Sequence, residues 1–232
     1  MSLETSQKPA GHSQQPISPR FDPQIAKATQ PFRLGLFGGT FDPLHIGHLH
    51  IAQSALEQFS LDGVLFIPAG EPAHKDNSAV LNAEARCNML HAAIADNSNF
   101  DISRIEVDRQ GTTYTIDTVR ILKERYGEKA RLFFIMGADM AADIGNWKNS
   151  DELAALTTVL CARRRISNKE EQAIVRNNHE FDIRFIDSAL IDISSRELRE
   201  CVRTGKSISH LVPSAVLSCI EKHGLYKECS KD

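Results

Sequence analysis

Five short apolar runs, at residues 34–37, 64–67, 132–136, 158–161 and 183–186, alternate along this chain with longer amphipathic stretches at roughly 47–59, 83–95, 115–126, 169–177, 195–204 and 214–222. Strands that alternate with helices pack as a parallel sheet with the helices laid over it. The expected architecture is therefore α/β: an open parallel sheet covered by helices on both faces. A small helical portion is expected at the C-terminal end. There, Val212, Pro213 and Ser214 precede an apolar-periodic run and Gly224 follows it, a start and a stop whose role is packing.

A chain of 232 residues with 41% hydrophobic content can bury a substantial core, and residues 32–232 are expected to form a single domain. Residues 1–31 differ in texture, being rich in Ser, Gln and Pro and poor in large apolar side chains. Such a segment cannot offset the entropy of ordering, so a mobile leader is expected there. A formal charge of −3 provides no general attraction for polyanions, which argues against nucleic acid or an anionic membrane surface as partner. Five cysteines with no CxxC pair fit a reducing compartment. With no signal-peptide pattern and no long apolar run, the expected location is the cytoplasm.

The most informative segment is GGTFDPLHIGHL, from Gly38 to Leu49, directly after the first apolar run and before an amphipathic stretch. Paired glycines let the backbone turn tightly and bring amide groups close to a ligand. The following helix directs its unpaired N–H groups and the positive end of its dipole at the same place, so the segment reads as an anion site. His45 and His48 lie three residues apart and are expected to project from the first helical turn toward that site, with His50 pointing elsewhere. An imidazole that donates to a phosphate oxygen suits a transition state in which negative charge accumulates. A zinc site through the two histidines lacks a local third ligand, although distant Asp or His residues remain available to complete one.

GGTFDPLHIGHL is similar to the nucleotide-binding signature of the HxGH nucleotidyltransferase superfamily, and from Arg33 to about Lys227 the chain resembles the bacterial nicotinate mononucleotide adenylyltransferases. Other segments carry the same resemblance: FIPAGEPAHK from Phe66, YTIDTV from Tyr114, MGADM from Met136, the sole tryptophan Trp147, ISSRELR from Ile193, and the LVP and HGLY that follow. The resemblance implies a Rossmann-like sheet and transfer of an adenylyl group from ATP to a pyridine mononucleotide. It implies that His45, His48 and Arg199 act on the ATP phosphates beside Gly38, Gly39, Thr40 and Phe41. It also places Gly137 and Asp139 on the ATP side, with Trp147, Tyr114 and Thr115 around the pyridine ring.

Some of these roles make chemical sense on their own. Ser194 or Ser195 can cap a helix and place Arg199 one turn inside it, where hydroxyls and a guanidinium hold polyphosphate from several directions. Lys75 and Arg163, assisted by His74, are long cations on strand-end loops and candidates for the mononucleotide phosphate. The chain departs from the family pattern at Arg196, where a small hydroxyl residue is usual. It departs again at Arg163-Arg164-Arg165, where Arg-Pro is common, and which arginine faces inward stays open.

The expected reaction is a direct in-line displacement at the α-phosphorus of ATP with pyrophosphate leaving, without a protein nucleophile or a protein-bound metal. Magnesium is expected to arrive with ATP, held mostly by phosphate and water. The expected partners are ATP and nicotinate mononucleotide; acid against amide preference stays open, as does the assembly, for which a homodimer is one reading. The competing readings are another HxGH transferase, such as one using phosphopantetheine, and a non-catalytic nucleotide sensor on the same fold.

Overall fold

The computed structural model describes residues 17–70, 80–163, 166–189 and 191–227. A short helix α1 (Asp22–Lys27) precedes β1 (Phe32–Gly39), α2 (Ile46–Gln58), β2 (Gly63–Pro68), α3 (Ala83–Ile94) and β3 (Phe100–Ile102). The second half runs through α4 (Thr115–Tyr126), β4 (Ala130–Gly137), α5 (Ala138–Ala141), α6 (Ser150–Leu156), β5 (Thr157–Ala162), α7 (Asn168–Asn177) and β6 (Ile183–Ile186), then closes with α8 (Ser195–Arg203) and α9 (Ser214–His223). All five apolar runs are strands and all six amphipathic stretches are helices. The sequence pattern missed β3, only three residues long, and the short helices α1, α5 and α6, which are too brief to show a period.

The strands form one sheet in the order β3-β2-β1-β4-β5-β6, and every pairing is parallel. The order reverses between β1 and β4, and at such a switch point the connections diverge and leave a crevice at the carboxyl ends of the strands. Alternation along each strand sends its side chains to two cores. Leu34, Leu36, Leu132, Phe134 and Met136 join α4 on one face, whereas Phe37, Phe133 and Ile135 join α2 and α3 on the other. On α4 the buried Ile116, Val119, Leu122 and Tyr126 repeat at helical spacing. A third cluster, built from Met89 of α3 with Leu198, Val216 and Ile220, attaches the C-terminal helices.

The expected mobile leader is corrected from residue 17 onward. Phe21 and Ile25 are buried in the first core, and the Phe21 ring fills the space that a side chain at Gly63 would need, within 2.4 Å. Around it, Ser18 Oγ donates to Asp101 Oδ2 at 2.5 Å, and Tyr126 Oη donates to Asp22 Oδ1 at 2.6 Å. Two apolar side chains and a ring of buried polar contacts outweigh the polar composition that surrounds them. Residues 1–16 lie outside the described residues. Among the described residues no helix is long and apolar enough to cross a membrane.

Candidate active site

At the carboxyl end of β1 the chain enters the glycine turn. Phe41 takes a left-handed conformation, φ 49°, and lays its ring within 2.9 Å of where a Gly39 side chain would begin. Gly39 is therefore needed for the turn to close over the Phe41 ring. Phe41 is itself buried against Phe37 and Phe66, so it serves as a floor to the turn.

His45 is the N-cap of α2, and the rings of His45 and His48 stack with centroids 3.6 Å apart. His45 N–H donates to His48 Nδ1 at 3.3 Å. A ring nitrogen that accepts cannot carry the proton of a neutral imidazole, so His48 Nε2 is a donor. Phe41 meets the His48 ring edge-on at 5.2 Å and fixes its plane. The glycine between the histidines has a steric cause: a side chain on Gly47 would begin 3.0 Å from His45 Nδ1. The spacing His-x-Gly-His thus lets one imidazole fold back over the helix start while the next stacks upon it.

Helix α8 docks onto the same turn. Ser194 caps α8 by accepting from Glu197 N–H at 3.2 Å, while Glu197 Oε2 accepts from Ser194 N–H at 3.1 Å, so Ser194 is the capping hydroxyl of the pair. Ser195 Oγ instead donates to the Pro43 carbonyl at 2.9 Å. One turn further on, Arg199 Nη1 donates to the Asp42 carbonyl at 2.6 Å. These two bonds hold the guanidinium beside the loop that leads into His45. Arg196 lies on the exposed side of α8, with Glu200 and Arg203.

Beneath the turn lies an arginine for which the sequence had suggested no role. Arg86, 2% exposed, donates from Nη1 to the Thr40 carbonyl at 2.8 Å, from Nη2 to Ala69 O at 2.7 Å and from Nε to Leu81 O at 3.1 Å. Burial draws its pKa downward and the Asp42 carboxylate opposes that shift. It ties the carboxyl ends of β1 and β2 to α3 and adds buried positive charge under the glycine turn.

At the switch point a cavity of 70 Å³ is lined by His45, His48, Gly137, Arg163, Ile191 and Ile193, among others. Gly137 contributes backbone, and the Asp139 carboxylate folds back over it to 2.7 Å from where a side chain would start. Arg163 lines this cavity at the end of β5 and is tethered to Glu171 at 2.6 Å and Asp187 at 3.4 Å. His50 also lines it, contrary to the expectation that it points elsewhere. The cavity continues along α2 toward Ser188, Ala189, Ile191 and Ile193, so its wall takes a side chain from a second face of the helix.

Tyr114, Thr115 and Trp147 gather elsewhere, around the start of α4. Trp147 is half-buried with its ring edge-on to Phe134 at 6.1 Å, and Lys148 Nζ lies 4.1 Å from the centre of the Tyr114 ring. The first turn of α4 is tied to Glu106, which accepts from Thr118 Oγ1 at 2.8 Å. Burial raises the Glu106 pKa, and the Thr118 hydrogen bond and Arg109 pull against that rise. Gly70, at the end of β2, lets the Glu106 carbonyl approach to 2.2 Å from where a side chain would begin. Of the remaining sequence candidates, His74 and Lys75 lie outside the described residues, as do Arg164 and Arg165.

Sequence reasoning thus gave no role to Asp42, Gly47, Arg86 or Glu106 and turned His50 away from the site. Asp42 and Gly47 stood inside the quoted motif, where their backbone and steric roles could have been sought. Arg86 and Glu106 are charged residues within amphipathic or loop stretches, and nothing in one dimension distinguishes a buried charge from a solvated one.

Residues 36–201 match the Cytidylyltransferase-like family. A probable nicotinate-nucleotide adenylyltransferase of Thermoanaerobacter is 42% identical over 202 residues, covering 84% of this chain and 95% of that protein. One of Moorella thermoacetica is 40% identical over 205 residues, covering 86% and 94%. Among solved structures, a Plasmodium falciparum nicotinic acid mononucleotide adenylyltransferase complexed with APC superposes with a TM-score of 0.67 at 18% identity, covering 84% of this chain and 96% of that one. That last likeness is one of fold.

Proposed function

The chain belongs to the Cytidylyltransferase-like family, among its nicotinate-nucleotide adenylyltransferases, and from that membership we propose that it joins the adenylyl group of ATP to nicotinate mononucleotide, forming nicotinate adenine dinucleotide and pyrophosphate. The observation that carries the reading is the stacked pair His45 and His48 at the N-terminus of α2, with Arg199 fastened to the loop immediately before them. On this reading the imidazole donor and the helix N-terminus bind the phosphates, and the guanidinium, held at the loop before His45, serves the same anion.

The mononucleotide phosphate is ionised near neutral pH, so the reaction requires no protein nucleophile. One of its oxygens attacks the α-phosphorus of ATP as the bond from that phosphorus to the bridging oxygen breaks, and the bridging oxygen departs with pyrophosphate. His48 Nε2 donates to phosphate oxygens as charge builds on the leaving group, and Arg199 neutralises the same charge. His45 supports the His48 ring by stacking and occupies the helix cap. Magnesium enters as part of the ATP substrate, its oxygen ligands drawn from phosphates and water.

Asp139 and the Gly137 backbone serve the ATP ribose, and Trp147 offers a face for the pyridine. Tyr114, Thr115 and the amides at the start of α4 receive the nicotinate carboxylate. Lys75, His74 and Arg163 serve the mononucleotide phosphate. A paired turnover assay with nicotinate and nicotinamide mononucleotides tests the substrate assignment: the acid is expected to win, and equal or inverted rates overturn that preference. Replacement His48→Ala is expected to lower kcat by about a hundredfold or more; unaltered pyrophosphate release in that variant overturns the site itself.

A further inference from the structure

Among the described residues, Arg199 uses one of its nitrogens in a hydrogen bond. Nη1 donates to the Asp42 carbonyl at 2.6 Å and lies 3.6 Å from Asp42 Oδ2, while Nε and Nη2 make no hydrogen bond among the described residues. Among the described residues Asp42 is thus the polar partner that holds the guanidinium, through its main-chain carbonyl and, more loosely, its carboxylate. Its side chain is 1% exposed, and a buried carboxylate holds one orientation only if its oxygens are satisfied. Oδ2 faces Arg199 and accepts from Leu81 N–H at 3.4 Å. Oδ1 accepts from Tyr226 Oη at 2.7 Å.

Tyr226 reaches Asp42 from the far end of the chain. Helix α9 stops at Gly224 in a left-handed conformation, φ 60°, and Leu225 N–H bonds back to Ile220 O at 3.0 Å. The chain then reverses, and Tyr226, itself at φ 64°, packs its ring against the C-terminal cluster with its hydroxyl directed at Asp42. A left-handed tyrosine is a sparsely populated conformation that persists where surrounding contacts over-determine it. Here those contacts are the ring's packing and the bond to Asp42.

We infer that Tyr226 is a positioning residue for ATP binding: its hydroxyl fixes the Asp42 carboxylate, which in turn helps to hold Arg199, whose remaining two nitrogens serve polyphosphate. The inference rests on the reading of Arg199 as a phosphate-binding residue. It assigns a task in the active site to a residue 184 positions along the chain from Asp42.

Calorimetric binding of a nonhydrolysable ATP analogue to the full chain tests it through a double-mutant cycle. Tyr226→Phe keeps the ring and removes only the hydroxyl, and it is expected to weaken the analogue about five- to tenfold while leaving KM for the mononucleotide unchanged. In an Arg199→Ala background the same change is expected to add nothing. An equal loss in both backgrounds overturns the inference, because Tyr226 would then act on stability or on another group. Unchanged binding in Tyr226→Phe with a loss in Arg199→Ala overturns it while leaving the phosphate role of Arg199 standing. Unchanged binding in Arg199→Ala removes the reading on which it rests, and the inference with it. Asp42→Asn cuts the same link from the other side, keeping an oxygen for Tyr226 but removing the charge that faces Arg199; it is expected to weaken the analogue as well, and unaltered affinity there overturns the chain of contacts even if Tyr226→Phe proves unfolded.

Discussion

The imidazole of His45 folds back over Gly47, with its Nδ1 placed 3.0 Å from where a side chain on that glycine would begin. The HxGH spacing is thus a packing rule as much as a chemical one. Any side chain at residue 47 must displace the His45 ring, and with it the His48 ring stacked 3.6 Å away.

Gly47→Ala separates helix stability from site geometry. Alanine in place of glycine favours a helix by up to about 1 kcal/mol, so thermal stability is expected to stay level or rise. Turnover is expected to fall at least about tenfold because the imidazole pair shifts. Steady-state kinetics beside a melting curve checks both, and full activity in this variant shows that the pair tolerates displacement.

Phe21→Ala tests whether residues 17–31 are part of the folded unit. Phe21 is fully buried, and the ring abuts Gly63 at the amino end of β2, away from the carboxyl edge where the site lies. The loss of a buried phenylalanine costs about 3–5 kcal/mol. A drop of that size in denaturant unfolding is expected, with KM values unchanged at a temperature where the variant remains folded. A loss under about 1 kcal/mol means that the aromatic ring is dispensable.

Glu106 sets a pH dependence of definite sign. Its folded pKa lies above the ordinary carboxylate value because of burial, so the folded state binds this proton more tightly than the unfolded chain does. The contribution is favourable below the unfolded pKa and is lost as pH rises through the folded one. Wild-type stability minus that of Glu106→Gln is therefore expected to decline as pH rises above the ordinary carboxylate range. Urea unfolding at several pH values measures it; a difference that grows with pH reverses the sign and rejects the account.

Cys161 is fully buried on β5, and burial pushes its thiol up to about 12. At about pH 8 only one molecule in roughly ten thousand carries the thiolate. Native protein treated with iodoacetamide is expected to be modified at the half-buried Cys201 and Cys219 before Cys161, as peptide mass spectrometry will read. Early labelling of Cys161 means that β5 opens readily.

Trp147 is the chain's only tryptophan, so its fluorescence reports one place. If the pyridine stacks on its exposed face, nicotinate mononucleotide is expected to quench or shift the emission, whereas ATP alone leaves it nearly unchanged. A spectrum that stays the same at saturating mononucleotide places the pyridine elsewhere.

The primary structure by itself determined the layered α/β architecture, because strand and helix periods are local and all but the shortest elements, β3, α1, α5 and α6, are long enough to display their own. It also carried the glycine turn and the histidine pair, since a strand end, two glycines and a helix start fall within one dozen residues. Tertiary structure alone decided the rest. Arg86 becomes a strut under the turn only when β1, β2 and α3 meet, and Asp42 links Arg199 to Tyr226 only when α8 and α9 close over the loop. Burial of a charge or a hydroxyl is a property of what surrounds it in space, and the residues that surround Asp42 come from positions 81, 199 and 226, too far apart along the chain for any spacing rule to join them.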